Sequence, residues 1–231
     1  MKTIGLLGGM SWESTAHYYR MLNQGINDRL GGLHSAQIAM VSVDFQPLET
    51  LMQKGDWTEV GKRLADAAQK IAKAGADFLL ICTNTMHKVA PTITDSVEIP
   101  LLHIADATAE KIKAAKLHTV GLLGTAFTME EEFYQGRLSN YHGLEVIVPS
   151  SKDRSRVHDI IFDELCRGKI RDESRKTYLR IIETMRSQGA EAVIEGCTEI
   201  SMLVNQDHTT VPLFDTTALH VEQAVSFALS D

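Results

Sequence analysis

Short apolar runs alternate with longer amphipathic stretches along the 231-residue chain. The apolar runs predict strands at Thr3–Leu7, Ile38–Val43, Phe78–Ile81, Pro100–Ile104, Thr119–Leu123, Leu144–Val148, Ala192–Ile194 and Val211–Phe214. The stretches between them predict helices at Ser14–Asn27, Thr58–Ala74, Ala105–Lys116, Thr128–Ser139, Arg154–Arg167, Asp172–Gln188 and Thr217–Leu229. Continuous apolar strands separated by helices indicate an α/β fold, in which parallel sheets are covered on both faces and joined by right-handed crossovers.

Three segments recur in order at nearly one spacing. Thr3-Ile-Gly-Leu-Leu-Gly8 returns as Thr119-Val-Gly-Leu-Leu-Gly124, Gly75-Ala-Asp as Gly189-Ala-Glu, and Ile99-Pro-Leu-Leu as Val211-Pro-Leu-Phe. We interpret them as two similar halves, each a small parallel sheet flanked by helices. The predicted domains are residues 1–99 plus 208–231, and residues 100–207.

Composition narrows the function classes. The net charge is −7 and no segment is dominated by Lys and Arg, so nucleic acid is not an expected partner. No apolar run approaches the roughly 18 residues of a membrane span, and the apolar start is too short for a signal peptide. Three widely spaced cysteines and no CxxC motif argue against a disulfide framework or a zinc site. We therefore expect a cytoplasmic protein without a metal.

Candidate chemistry lies where the predicted strands end, since ligands of open α/β sheets bind beyond the carboxyl ends of the strands. The Gly8-Gly9 loop matches neither a Rossmann nor a Walker A motif, and Ser11 or Ser14 is expected to cap the helix that follows it. Backbone N–H, hydroxyl and amide groups suit a carboxylate ligand. The predicted substrate-binding residues are Met10, Ser11, Asn84, Thr85, Thr125, Thr198 and Glu199.

The repeat separates the cysteines. Shifting the first half by 114 residues aligns Thr83 with Cys197, and Cys82 with Gly196. Because side chains alternate along an extended segment, Cys82 is predicted to point into its own domain as a packing residue. Cys197 is the candidate catalytic thiol, since a helix start lowers a thiol pKa, although the acidic residues on either side oppose this. The histidines at 87, 103 and 158 are interpreted as packing or surface residues, and Trp12 as a packing residue at the edge of the first loop.

The motifs resemble those of the aspartate/glutamate racemase family. They are Leu6-Leu7-Gly8-Gly9-Met10, Thr83-Asn84-Thr85-Met86-His87, Gly124-Thr125 with Thr128-Met129, and Gly196-Cys197-Thr198-Glu199-Ile200. The resemblance implies two pseudo-symmetric α/β domains with the active site in the cleft between them. It also implies amino-acid racemisation without pyridoxal phosphate or metal, by two groups on opposite faces of the α-carbon, and often a homodimer.

Two departures from the family pattern concern catalysis and substrate. Thr83 stands where the family has its first cysteine, so Cys197 is expected to deprotonate the L enantiomer, and Thr83 or a water it positions to protonate the other face. Leu48 and Cys166 stand where aspartate racemases place an Arg and a Lys for the distal carboxylate, although Lys54, Arg167 or Lys169 could compensate. Aspartate and glutamate are the family's default substrates. The alternatives are a racemase of neutral amino acids, a binding protein or weakened enzyme, and a cysteine hydrolase or decarboxylase.

Overall fold

The computed structural model describes residues 1–230, and the chain divides into two compact units. Unit 1 comprises Met1–Ile104 and His220–Asp231, and unit 2 comprises Ala105–Leu219. The predicted boundaries fell after residues 99 and 207. Residues 208–219 lie in unit 2 because the strand Leu213–Asp215 pairs with Ala192–Gly196 of that unit.

Unit 1 is built on a three-stranded parallel sheet of order β2-β1-β3. Its strands are β1 (Ile4–Gly8), β2 (Ile38–Ser42) and β3 (Phe78–Ile81). Its helices are α1 (Trp12–Leu30), α2 (Phe45–Gln53), α3 (Trp57–Lys73) and α4 (Ala90–Thr94), with a 3-10 helix at Thr85–Val89. All residues of β1 and β3 are buried, as expected for strands covered on both faces.

Unit 2 contains a four-stranded parallel sheet of order β5-β4-β6-β7. Its strands are β4 (Thr119–Gly124), β5 (Glu145–Ile147), β6 (Ala192–Gly196) and β7 (Leu213–Asp215). The helices from residue 104 onwards are α5 (Ile104–Ala114), α6 (Ala126–Glu130), α7 (Glu132–Gly136), α8 (Ser151–Asp163), α9 (Asp172–Ser187), α10 (Ile200–Leu203) and α11 (Thr216–Ala228). The first residue of α5 and the last nine of α11 belong to unit 1.

The sequence repeat is also a structural repeat. The Asp77 amide donates to the Thr3 carbonyl at 2.9 Å, and the Glu191 amide donates to the Thr119 carbonyl at the same distance. In unit 1 the fourth strand is reduced to a bridge between Leu79 and Leu101, at the place that β7 occupies beside β6. The α/β class and the two similar halves predicted from the sequence are therefore confirmed.

Two of the predicted elements are not formed as single elements in the structure. The predicted strand Pro100–Ile104 is a single bridge, because α5 already begins at Ile104. The predicted helix Thr128–Ser139 is broken at Glu131, whose backbone is extended, into α6, α7 and a π-helical turn. Within residues 1–230 no helix is long and apolar enough to cross a bilayer.

Candidate active site

The carboxyl edge of the first sheet begins with a tight loop after β1. Gly9 has a φ of +97°, and a Cβ there would lie 2.2 Å from the Val43 carbonyl oxygen, so only glycine fits. The Thr15 hydroxyl accepts from the Gly9 amide at 2.8 Å and donates to the Ser11 carbonyl at 2.9 Å. Ser11 is the N-cap of α1, its side chain accepting from the Ser14 amide at 3.3 Å. Met10 and Ser11, both predicted to bind substrate, are buried in this loop.

Cys82 and Thr83 follow β3 at the same edge. Cys82 is buried in the apolar core with Tyr18, Leu22 and Phe78, and burial raises the pKa of its thiol. The prediction that it is a packing residue is confirmed. Thr83 remains partly exposed. The Ser14 hydroxyl donates to the Cys82 carbonyl at 2.8 Å and so ties the start of α1 to this turn.

The segment after Thr83 turns at once into the 3-10 helix Thr85–Val89. Asn84 occupies its N-cap position without a side-chain capping bond. Asn84 and Thr85 are buried beside the turn. His87 is also buried, which decides between the surface and packing positions left open by the sequence, and its Nδ1 lies 2.9 Å from the Thr83 carbonyl oxygen.

In unit 2 the equivalent edge carries a thiol against a carboxylate. The Cys197 Sγ lies 3.1 Å from Glu199 Oε2, and the Thr198 hydroxyl donates to the same oxygen at 2.6 Å. The Cys166 Sγ lies 4.0 Å from the other oxygen, Oε1. Glu199 and Thr198 are buried, whereas Cys197 keeps part of its surface exposed. Glu199 is thus the common acceptor of these three side chains.

Burial, and then the negative charge of Glu199, raise the pKa of the Cys197 thiol well above its usual value. The sequence predicted a lower pKa from a helix start, but α10 begins only at Ile200 and has four residues. The opposing effect of the neighbouring carboxylate, also predicted, prevails. The resting group is therefore a thiol whose proton has a carboxylate oxygen within hydrogen-bonding distance.

Thr125 directly follows β4, which lies next to β6, the strand that Cys197 follows. Gly124 of β4 pairs with Gly196 of β6, which brings residues 125 and 197 to neighbouring strand ends. Thr125 is the N-cap of α6, accepting from the Thr128 amide at 3.3 Å. A Cβ at Gly124 would lie 2.8 Å from the Gly196 carbonyl, so both glycines allow this close approach.

Comparison with known proteins gives the family. A model of the Asp/Glu/hydantoin racemase family matches residues 7–224. The chain belongs to this family. The resemblance inferred from the motifs is confirmed, and the chain is an isomerase, an amino-acid racemase of the Asp/Glu racemase family.

Similar proteins cover essentially the whole racemase chain. A crystal structure from Yersinia pestis, provisionally described as an Asp/Glu racemase, is 52% identical over 100% of both chains, with a TM-score of 0.93. An aspartate racemase homologue from Pyrococcus horikoshii OT3 is 32% identical over 100% of both chains, with a TM-score of 0.86. The broad specificity amino-acid racemase RacX of Bacillus subtilis is 25% identical over 98% of each chain.

The positions of Leu48, Cys166 and Trp12 bear on the predictions made from the sequence. Leu48, aligned with the Arg of aspartate racemases, is buried within α2. Cys166, aligned with the Lys, contacts Glu199. Trp12, predicted to pack at the loop, is 66% exposed at the start of α1.

One buried carboxyl group was not singled out as a functional or unusual residue from the sequence. Glu195 is 3% exposed on β6, and burial, with a smaller effect of Asp215, raises its pKa to about 8. Its counterpart in the repeat is Ile81, which is fully buried. A glutamate at a position filled by isoleucine in the other half was the signal in the sequence that could have identified it.

Proposed function

We propose that this racemase interconverts L- and D-amino acids without a cofactor, with Cys197 as the base that takes the α-proton of the L enantiomer. Thr83, or a water molecule that it positions, protonates the opposite face of the α-carbon. The observation that carries this proposal is the 3.1 Å contact between Cys197 Sγ and Glu199 Oε2, because the raised pKa of the thiol requires a nearby proton acceptor.

Each proton transfer has a donor and an acceptor among the side chains of Cys197, Glu199 and Thr83, the substrate and water. Glu199 accepts the thiol proton of Cys197, and the resulting thiolate removes the α-proton. Thr83 then donates its hydroxyl proton to the carbanion and recovers one from water, and Glu199 releases the proton it took from Cys197 to the hydroxide that remains. A hydroxyl is a far poorer base than a thiolate, so deprotonation of the D enantiomer is the slower of the two chemical steps. The equilibrium ratio of the free enantiomers stays at one, since a catalyst changes only rates.

The predicted binding residues have the chemistry to hold the substrate carboxylate. They offer hydroxyl, amide and backbone N–H donors at the carboxyl ends of β1, β3, β4 and β6, where preorganised donors stabilise developing negative charge. These residues are Met10, Ser11, Asn84, Thr85, Thr125, Thr198 and Glu199. Glu199 differs from the others because it accepts a proton from Cys197 and does not donate a hydrogen bond to the substrate carboxylate.

The family's default substrates are aspartate and glutamate, and they are the first to test. A second candidate, neutral amino acids, is favoured by the surroundings of Cys166. This residue presents a neutral thiol beside the Glu199 carboxylate, where the aligned Lys of aspartate racemases would hold a distal carboxylate. The broad specificity in the name of the Bacillus subtilis relative agrees with this alternative.

The test is α-proton exchange in D2O, followed by NMR for both enantiomers of aspartate, glutamate and a panel of neutral amino acids. We expect deuterium to enter the L enantiomer faster than the D enantiomer of at least one of these amino acids. Cys197→Ser should abolish exchange, and Cys82→Ala is the matched control because Cys82 lies in the core. Equal loss in both variants would contradict the assigned base.

Two other outcomes would replace the proposal. Exchange with no amino acid, despite saturable binding, would indicate a binding protein. A new compound other than the enantiomer would indicate a hydrolase or decarboxylase with Cys197 as nucleophile.

A further inference from the structure

His87 makes two hydrogen bonds that belong to different parts of unit 1. Its Nδ1 lies 2.9 Å from the carbonyl oxygen of Thr83, and its Nε2 lies 3.3 Å from the backbone nitrogen of Ile104. The side chain is 2% exposed, so water does not substitute for either partner. Ile104 is the last residue of unit 1 before the chain enters unit 2.

These two partners determine the tautomer of the ring. The Ile104 N–H is a donor, so Nε2 must be the bare, accepting nitrogen. A neutral imidazole then carries its proton on Nδ1, and the Thr83 carbonyl can only accept it. Burial, together with His103 and His220, lowers the pKa of His87 well below its usual value and keeps the ring neutral.

Neighbouring side chains hold the ring in place. The His103 ring centroid lies 4.4 Å from that of His87, and the His220 centroid lies 6.1 Å away. His220 has its own fixed tautomer: Nε2 donates to the Leu102 carbonyl at 2.9 Å, so Nδ1 accepts from the Tyr18 hydroxyl, also at 2.9 Å. The orientation of His87 is therefore set by packing on a second, fully hydrogen-bonded histidine.

We propose that His87 is a positioning residue for Thr83: the Nδ1–H bond fixes the peptide that carries the proton donor, while the Nε2 bond anchors the ring to Ile104. This inference rests on the proposed function, in which Thr83 serves one face of the α-carbon and Cys197 the other. Loss of the bond from the His87 ring to the Thr83 backbone should therefore slow proton transfer by Thr83 more than proton transfer by Cys197. His87 itself touches no reacting atom.

Two amide substitutions separate the two bonds. In His87→Asn the amide nitrogen takes the place of Nδ1 and can still donate to the Thr83 carbonyl. In His87→Gln the amide reaches the place of Nε2, so its oxygen can accept from Ile104 while the bond to Thr83 is lost. Since a displacement of about 1 Å can cost on the order of 100-fold in rate, we expect exchange from the D enantiomer to fall by about tenfold or more in His87→Gln. Exchange from the L enantiomer should stay within about threefold in both variants, and His87→Asn should retain most of the D exchange.

A structural role alone predicts a different result. If His87 only filled the core, both variants would lose L and D exchange in proportion to their unfolded fraction, and that result would overturn the inference. Cys82→Ala controls for a general loosening of the core next to Thr83 and should keep the ratio of L to D exchange at its wild-type value. Wild-type protein that exchanges neither enantiomer would overturn the proposed function and this inference together. Wild-type exchange with an unchanged ratio in His87→Gln would overturn this inference alone.

The tautomer has a test that does not depend on activity. In protein labelled with ¹⁵N-histidine, the His87 ring at neutral pH should show a protonated Nδ1 and a bare Nε2. The opposite tautomer, or a doubly protonated ring, would overturn the inference, because the Nδ1–H bond to Thr83 and the Ile104–Nε2 bond would not both be formed.

Discussion

Replacing Glu195 by glutamine is predicted to stabilise the folded chain at neutral pH. Glu195 lies in β6 between Leu123 of β4 and Asp215 of β7, and its Oε1 has no hydrogen-bond partner among the described residues. Burial raises its pKa from the usual 4.5 to about 8, so the folded state keeps the carboxyl protonated at neutral pH. The unfolded chain releases that proton, and ionisation then favours unfolding.

The sign and size follow from proton linkage. Below pH 4.5 the carboxyl is protonated in both the folded and the unfolded chain and does not change the free energy of unfolding. As the pH rises from 4.5 to the folded-state pKa near 8, only the unfolded chain loses the proton, and the free energy of unfolding falls. The free energy of unfolding should fall by about 1.4 kcal/mol for each pH unit within this window. The interval from pH 4.5 to 7 therefore corresponds to about 3 kcal/mol. Glutamine cannot ionise, so Glu195→Gln should be more stable by about that amount at pH 7 and nearly equal in stability near pH 4.

The assay is urea unfolding of both proteins between pH 5 and 8, with the difference in unfolding free energy plotted against pH. That difference isolates residue 195, since all other titrating groups are shared. Glu110→Gln, at an exposed position of α5, is the matched control and should show no such slope. Parallel pH profiles for wild type and Glu195→Gln would refute the reasoning, because they would mean that the buried carboxyl does not retain its proton on folding.

Three further substitutions test other parts of the structure. Gly9→Ala should lower the free energy of unfolding by more than about 1 kcal/mol, because the positive φ of residue 9 and the Val43 carbonyl leave no place for a Cβ. The measurement is urea titration, and an unchanged midpoint would contradict the loop geometry. Asp106→Asn removes the negative charge and one of the two oxygens that accept from Arg137, at 2.6 and 2.7 Å. It should cost about 1–3 kcal/mol in thermal unfolding, and no loss would mean that the pair is not formed in solution. Thr83→Cys should speed deuterium entry into the D enantiomer, measured by NMR, because a thiolate is the better base; a slower D reaction would argue against Thr83 facing the α-carbon.

The sequence was sufficient for the α/β class and the two similar halves because the repeat marks equivalent segments in both. The two apolar segments beginning at Thr3 and Thr119 become the equivalent strands β1 and β4, each beside the strand that carries the Gly-Ala-Asp or Gly-Ala-Glu turn. Alternation along the strand also placed Cys82 in the core. Both inferences use only local periodicity and the fixed direction of parallel strands.

Hydrogen bonds between segments that lie far apart along the chain could not be predicted from the sequence. The roles of His87 and Cys166 depend on Ile104 and Glu199, which lie 17 and 33 residues away along the chain. Nothing in the local pattern of apolar and polar residues encodes these partners.

The discontinuity of unit 1 sets an order for its synthesis. In its core, Tyr18 and Leu22 of α1 pack with Val221 and Val225 of α11. The Lys2 amide also donates to the Ala228 carbonyl at 2.8 Å, which links the beginning of unit 1 to the end of α11. The ribosome therefore delivers every residue of unit 2 before the part of α11 from His220 onwards, which seals unit 1. A nascent chain halted before α11 would present an open apolar core to the cell, so premature termination near the end should yield an aggregation-prone product instead of a slightly shortened enzyme.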